Sequence, residues 1–189
     1  MKNKDKYEII IYGRGGQGAK TTAEIIAQAS LSEGRNVQAF PEFGPERSGA
    51  PVKTFVRISD HEIKTREPIT DPDCVLVLDE TLLDAIDVTK NLDNKEPLII
   101  NTKKTKQQLI SKIGFKGNII PIDATGLSKE IIGENRPNTV ILGKFAFVTE
   151  KIKVETIAKF FEEKYSEKIG KEKTKKNIEA IERAYDYHN

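Results

Sequence analysis

Short unbroken runs of apolar residues, rather than alternating ones, mark most of the strands in this chain. Ile9-Ile10-Ile11 lies inside a strand over Tyr7–Tyr12, and similar runs predict strands at Cys74–Leu78, Leu98–Asn101 and Ile119–Asp123. Continuous apolar strands are those covered on both faces, as in a parallel sheet. Between them the period changes to that of a helix. Ala23, Ile26, Ala27 and Leu31 recur along Ala19–Glu33, with Gly34 as its stop. Further helices are expected over Thr105–Ile113, from Ala124 through Ile132, and over the apolar stretch Asn138–Val148 entered at Arg136-Pro137. A helix start is expected at Asp79-Glu80-Thr81, with Asp79 or Thr81 as its cap.

Two stretches depart from this alternation. Asn36–Phe40 reads as a second strand, and Val52–Ile58 as a third with strict two-residue alternation: Val52, Thr54, Val56 and Ile58 on one face, Lys53, Phe55 and Arg57 on the other. Ser59-Asp60-His61 then predicts a turn, Glu62–Arg66 a hairpin partner, and Lys53, Arg57, Lys64 and Arg66 a positive side to that hairpin. After Lys153, Val154, Ile157, Phe160, Phe161 and Tyr165 repeat at helical spacing, and Gly170 breaks the pattern. A solvated charge run and a stripe of Ile178, Ile181 and Tyr185 complete the tail. The fold class is α/β: a Rossmann-like, mostly parallel sheet flanked by helices, with a β-hairpin insertion and C-terminal helices. Residues 1–150 are read as the α/β domain and 151–189 as a helical tail packed on that domain or on a partner.

The glycines in Gly13-Arg14-Gly15-Gly16-Gln17-Gly18 fall between the first strand and the first helix. That order turns backbone N–H groups at a helix N-terminus toward an anion, and glycine allows positive φ and close approach. The G-x-G-x-x-G spacing is met, but the second strand ends Val37-Gln38-Ala39-Phe40 without the acid a dinucleotide ribose needs. A nucleotide P-loop needs Lys at position 19, and this chain has Ala19 and Lys20. The glycines also suit a tight turn and nothing more. Pro41–Pro51 follows the second strand, with Glu46-Arg47-Ser48-Gly49 among its three prolines and two glycines, and it reads either as a rigid connector or as part of a ligand crevice.

Composition narrows the class. At 189 residues the chain can bury one core. Its 31 Lys and Arg against 29 Asp and Glu support neither a nucleic-acid nor a membrane surface, and no apolar run approaches the ~20 residues of a membrane span. The charged start lacks a signal peptide's apolar core, so a cytoplasmic location is expected. A single cysteine, Cys74, rules out an iron–sulfur cluster ligated by this chain's cysteines alone, and it reads as a buried hydrophobe. His61 and His188 lack metal-ligand spacing and are read as solvated. No catalytic constellation is found, and no metal ligands are assigned.

Three segments together resemble a known family. Gly13–Ala19, Gln38–Val52 and Arg57-Ile58-Ser59-Asp60 are similar to the gamma subunit of pyruvate:ferredoxin oxidoreductase, also called pyruvate synthase, within the 2-oxoacid:acceptor oxidoreductases. The resemblance implies a complex with alpha, beta and ferredoxin-like delta subunits. Such a complex oxidatively decarboxylates pyruvate with coenzyme A to acetyl-CoA, CO2 and reduced ferredoxin. A 2-oxoisovalerate or other 2-oxoacid enzyme is the alternative; a purely structural assembly domain or a stand-alone nucleotide-binding protein would be another class. The resemblance further implies thiamine diphosphate, Mg and iron–sulfur clusters on partner subunits. It leaves Gly13, Arg14, Gly15, Gly16, Gln17, Gly18, Glu46, Arg47, Ser48 and Gly49 to face coenzyme A, with Arg14 and Arg47 as phosphate partners.

Overall fold

The computed structural model of the protein describes residues 5–42 and 49–187. Six strands form one sheet in the order β2-β3-β1-β4-β5-β6. They are β1 (Lys6–Arg14), β2 (Asn36–Pro41), β3 (Pro51–Ser59), β4 (Cys74–Val77), β5 (Pro97–Asn101) and β6 (Asn118–Ile122). The β1–β4, β4–β5 and β5–β6 pairs are parallel, and β3 runs antiparallel to both β1 and β2. The helices are α1 (Ala19–Ser32), α2 (Lys106–Ile113), α3 (Ala124–Ile131), α4 (Pro137–Thr149), α5 (Val154–Ile169) and α6 (Lys171–Tyr185).

The period-two alternation of the strands sorts their side chains between two layers. Ile9, Ile11, Val56, Ile58 and Leu76 pack with α1, α3, α4, α5 and α6 on one face. Ile10, Tyr12, Phe55, Val75 and Val77 pack on the other with Leu82 and with Leu109 of α2. Cys74 is fully buried in the first layer. Burial raises its thiol pKa, as expected of a structural cysteine. Ile152, Val154, Ile157 and Phe161 of α5 and its approach, and Ala180, Ile181 and Ala184 of α6, belong to the same cluster as the sheet.

Two expectations change in detail. The antiparallel partner of β3 is not Glu62–Arg66, which has no regular structure, but β2 and β1, with Phe40 opposite Phe55 and Ile10 opposite Phe55 on the other side. A strand inserted between two others satisfies both of its edges, whereas a hairpin with Glu62–Arg66 would leave one of them open. Arg57 is consequently not on a basic surface: it is 3 % exposed, bonded to Glu8 at 2.5 Å and to Gln38 at 3.1 Å. Lys64 and Arg66 are exposed. The helix start at Asp79 is present as a five-residue 3-10 helix, Glu80–Asp84, with the Asp79 carboxylate accepting the Thr81 N–H. His61 is exposed, and His188 lies outside the described residues. Among the described residues no helix is long and apolar enough to cross a membrane.

Candidate functional site

β1 pairs on one side with a strand that precedes β4 in the chain and on the other with β4 itself, so the chain reverses its direction of winding between β1 and β4. Ligand crevices of open α/β sheets form outside the carboxyl ends of the strands at such a point. Gly13–Gly18 sits there. Gly18 caps α1 in the left-handed region at φ 83°, and no side chain caps the helix. The first-turn amides of α1 therefore lack the side-chain acceptor that most helices supply.

The loop is braced from several directions. The Gly15 N–H donates to Ala50 O at 2.8 Å and the Gly49 N–H to Gly15 O at 3.2 Å, so the start of β3 is strapped to the glycine turn. Gln17 Oε1 accepts the Arg14 N–H at 2.8 Å, and Gln17 Nε2 donates to Asp79 at 2.6 Å. The Arg14 guanidinium donates to Thr81 Oγ1 at 2.7 Å and to Gly49 O at 3.1 Å, and stands 3.4 Å from the Asp79 carboxylate. Burial opposes ionisation of Asp79. Hydrogen bonds from Thr81 and Gln17, together with the Arg14 charge, outweigh it and hold the carboxyl below its ordinary range.

A cavity of about 730 Å³ opens beside this loop. Gly16, Gln17 and Gly18 form one wall, and Leu78–Glu80, Asn101–Lys103, Asp123 and Thr125 line the strand ends. Asn135–Thr139, at the start of α4, form a third wall. Phe161, Tyr165 and Ile169 of α5, with Lys173 and Asn177 of α6, close the cavity. Its acids are each matched by a cation or donor. Lys104 lies 2.6 Å from Glu80, and bonds from Lys104 and Thr102 hold the Glu80 carboxyl below the usual range. Asp123 caps α3 through the Gly126 N–H at 2.7 Å, with Lys103 at 3.8 Å. Arg136 and Lys173 both meet Glu134 at the rim.

The structure brings Gly49 against Arg14 and Gly15, and places Gly16, Gln17 and Gly18 on the cavity wall. Gly13, Arg14 and Gly15 are next to that wall in the chain but do not line the cavity. Glu46, Arg47 and Ser48 lie outside the described residues. The walls from α4, α5 and α6 were not anticipated from the sequence. A polar pair, Asn138-Thr139, at the mouth of a largely apolar helix was the available signal for α4. For Tyr165 and Lys173 there was none, because Tyr165 reads as an ordinary position of an amphipathic helix and Lys173 as part of a solvated charge run.

The family model for pyruvate ferredoxin/flavodoxin oxidoreductase matches residues 8–187. The gamma subunit common to the pyruvate and ketoisovalerate oxidoreductases of Thermococcus kodakarensis is 44% identical over 180 residues, which cover 95% of this chain and 95% of that one. The crystal structure of pyruvate oxidoreductase subunit PORC from Thermotoga maritima superposes with a TM-score of 0.86 at 38% identity, covering 97% of each chain. A 2-oxoglutarate:ferredoxin oxidoreductase from Magnetococcus marinus shares the fold, with a TM-score of 0.73 at 20% identity over 96% of this chain and 31% of its own. On its sequence and its architecture alike, the chain belongs to the pyruvate ferredoxin/flavodoxin oxidoreductase family, among the gamma subunits.

Proposed function

We propose that this chain is the gamma subunit of a pyruvate:ferredoxin oxidoreductase, working with alpha, beta and delta subunits, and that its crevice faces coenzyme A. The observation that carries this reading is the meeting of an uncapped helix N-terminus with a cavity of about 730 Å³, lined by polar and apolar side chains, at the carboxyl ends of parallel strands. Coenzyme A is a substrate of the reaction, and its phosphates need donors and positive charge. The chain offers backbone amides at α1 and the Arg14 guanidinium, whose side chain is 30 % exposed. Gly16 and Gly49, both at positive φ, have no atom of the described residues within 4 Å of where a side chain would stand, which favours a close approach to their backbone.

Thiamine diphosphate, Mg and the iron–sulfur clusters belong on partner subunits in this reading. One cysteine cannot supply a cluster's ligands. The chain binds and orients; carbon–carbon cleavage and electron transfer to ferredoxin take place on other subunits. A second reading, in which the same subunit also serves a 2-oxoisovalerate enzyme, is favoured by the relative named as common to both oxidoreductases.

Reconstitution tests the proposal. The isolated chain should show no turnover and should restore pyruvate-dependent ferredoxin reduction when added to the remaining subunits. Arg14→Ala with Arg47→Ala should raise the KM for coenzyme A about tenfold or more, the scale of losing charge-assisted bonds to phosphate. An unchanged KM would leave a purely structural assembly role. Titration of the chain showing tight NAD binding and no coenzyme A response would point to a stand-alone nucleotide-binding protein.

A further inference from the structure

β2 ends the sheet on one side, and its outer edge has no partner strand among the described residues. The ladder fixes which groups that edge presents. β3 divides alternate residues between its two neighbours. On the β1 side the Gly15 N–H donates to Ala50 O at 2.8 Å, and on the β2 side the Glu42 N–H donates to Lys53 O at 2.8 Å. Carried along the antiparallel registers, this turns the backbone groups of Asn36, Gln38 and Phe40 to β3. The N–H and C=O groups of Val37 and Ala39 therefore point outward.

An edge with open amides is a template for another strand, and proteins guard such edges with charge or proline. β6, at the other end of the sheet, carries Pro121 inside the strand. β2 has its proline only at the last position, Pro41. Charged residues make up 32% of the chain, yet none lies in Asn36–Pro41. Ala39 is exposed. Leu31, in the last turn of the helix that packs on β2, is 53 % exposed.

We propose that this edge pairs with the same edge of a second copy of the chain, antiparallel about a two-fold axis at Gln38. In that register Val37 of one copy faces Ala39 of the other, and the two exchange N–H···O=C bonds on both sides of the axis. The neighbouring registers are poorer. A slip one way sets Ala39 against Arg35, whose N–H already donates to Ser30 O at 3.1 Å. A slip the other way sets Val37 against Pro41, which has no N–H. The charges agree with the choice. Glu42, 3.7 Å from Lys53 and with its side chain 50% exposed, arrives beside Arg35 of the second copy. Arg35 Nε is buried with no hydrogen bond among the described residues, although the Asp60 carboxylate stands 2.6 Å away. No like charges meet along the paired strands, since β2 carries none. One short strand pair is a small interface, so the dimer is weak and forms as concentration rises.

Sedimentation equilibrium of the full chain should show monomers and dimers exchanging across the micromolar range. Ala39→Pro removes an outward N–H that β3 does not use, so the sheet keeps its own bonds while dimer affinity falls at least about tenfold. Ala39→Lys, which sets like charges close to the axis, should weaken the dimer similarly and serves if Ala39→Pro does not fold. Gln38→Cys tests the register. The two copies of position 38 meet across the axis as a non-hydrogen-bonded pair, with about 4.5 Å between Cα atoms, within reach of a disulfide. Oxidised glutathione should link Gln38→Cys chains in pairs and leave Asn36→Cys chains, whose positions lie far apart in this register, largely unlinked. Cys74 is buried and does not compete. In the reconstituted complex, Gln38→Cys should join two copies of this chain. A chain that stays monomeric at every concentration, or dimerises as well when folded with Ala39→Pro or Ala39→Lys, overturns the proposal. So does a Gln38→Cys link to a different subunit with none between copies of this chain, a result that would give the edge to a strand of that subunit.

Discussion

Gln17 joins two parts of the chain that its own neighbourhood gives no hint of. Its carboxamide ties the backbone of the glycine turn to Asp79, 62 positions further on. The position of the glycine turn was legible, because strand, glycines and helix follow one another locally. The partners of Arg14 and Gln17 were not, because Thr81 and Asp79 reach them only through the parallel pairing of β1 with β4. Asp79 offers a test. Its folded carboxyl sits below its ordinary value of 3.8. The stabilisation it contributes is therefore present above about pH 4 and lost as pH falls through the folded value. Asp79→Asn should be less stable than the unaltered chain at pH 7, and the gap in urea midpoints should close as pH falls below about 4. A gap that stays constant across that range would show that this carboxylate does not carry the acid sensitivity.

At the scale of elements, the apolar stretch read as a buried helix became α4, buried at every position from Pro137 to Ala146. A helix apolar on all sides announces burial without naming its neighbours. Its closest one is α6: a Cβ placed on Gly143 would stand 1.8 Å from the Ile181 carbonyl oxygen. Backbone meets backbone there, and no rotamer change relieves it. Gly143→Ala should force α6 outward and destabilise the protein by about 1–3 kcal/mol. For a chain of this size that lowers the thermal midpoint by several degrees, measurable by circular dichroism. The third strand shows the opposite balance. Its alternation was legible to the residue, yet its neighbours were misjudged, because alternation reports which face is buried and says nothing about which edge is paired.

Across the whole molecule, the sheet's two layers were legible from the apolar runs, and the closure of the cavity was not. α5 and α6 bury Phe161, Ile181 and Ala184 in the cluster that holds Ile9 and Leu76, and also present Tyr165 and Lys173 to the crevice. An amphipathic stripe in a tail serves equally for folding back or for docking elsewhere, so sequence alone left both open. Deleting residues 151–189 tests the two. Exposure of that face of α4 and α1 should give a chain that aggregates or loses its cooperative unfolding transition. A soluble, cooperatively folding truncated chain would mean that the tail serves mainly a partner.

The contact between Thr22 and Asn138 spans 116 positions. During synthesis the glycine turn leaves the ribosome long before the helix that completes its surroundings. Closing so long a loop is slow relative to local helix formation. A chain that ends before Asn138 therefore carries the glycine turn without the wall that faces it, so the crevice is the product of the finished fold and not of the local turn.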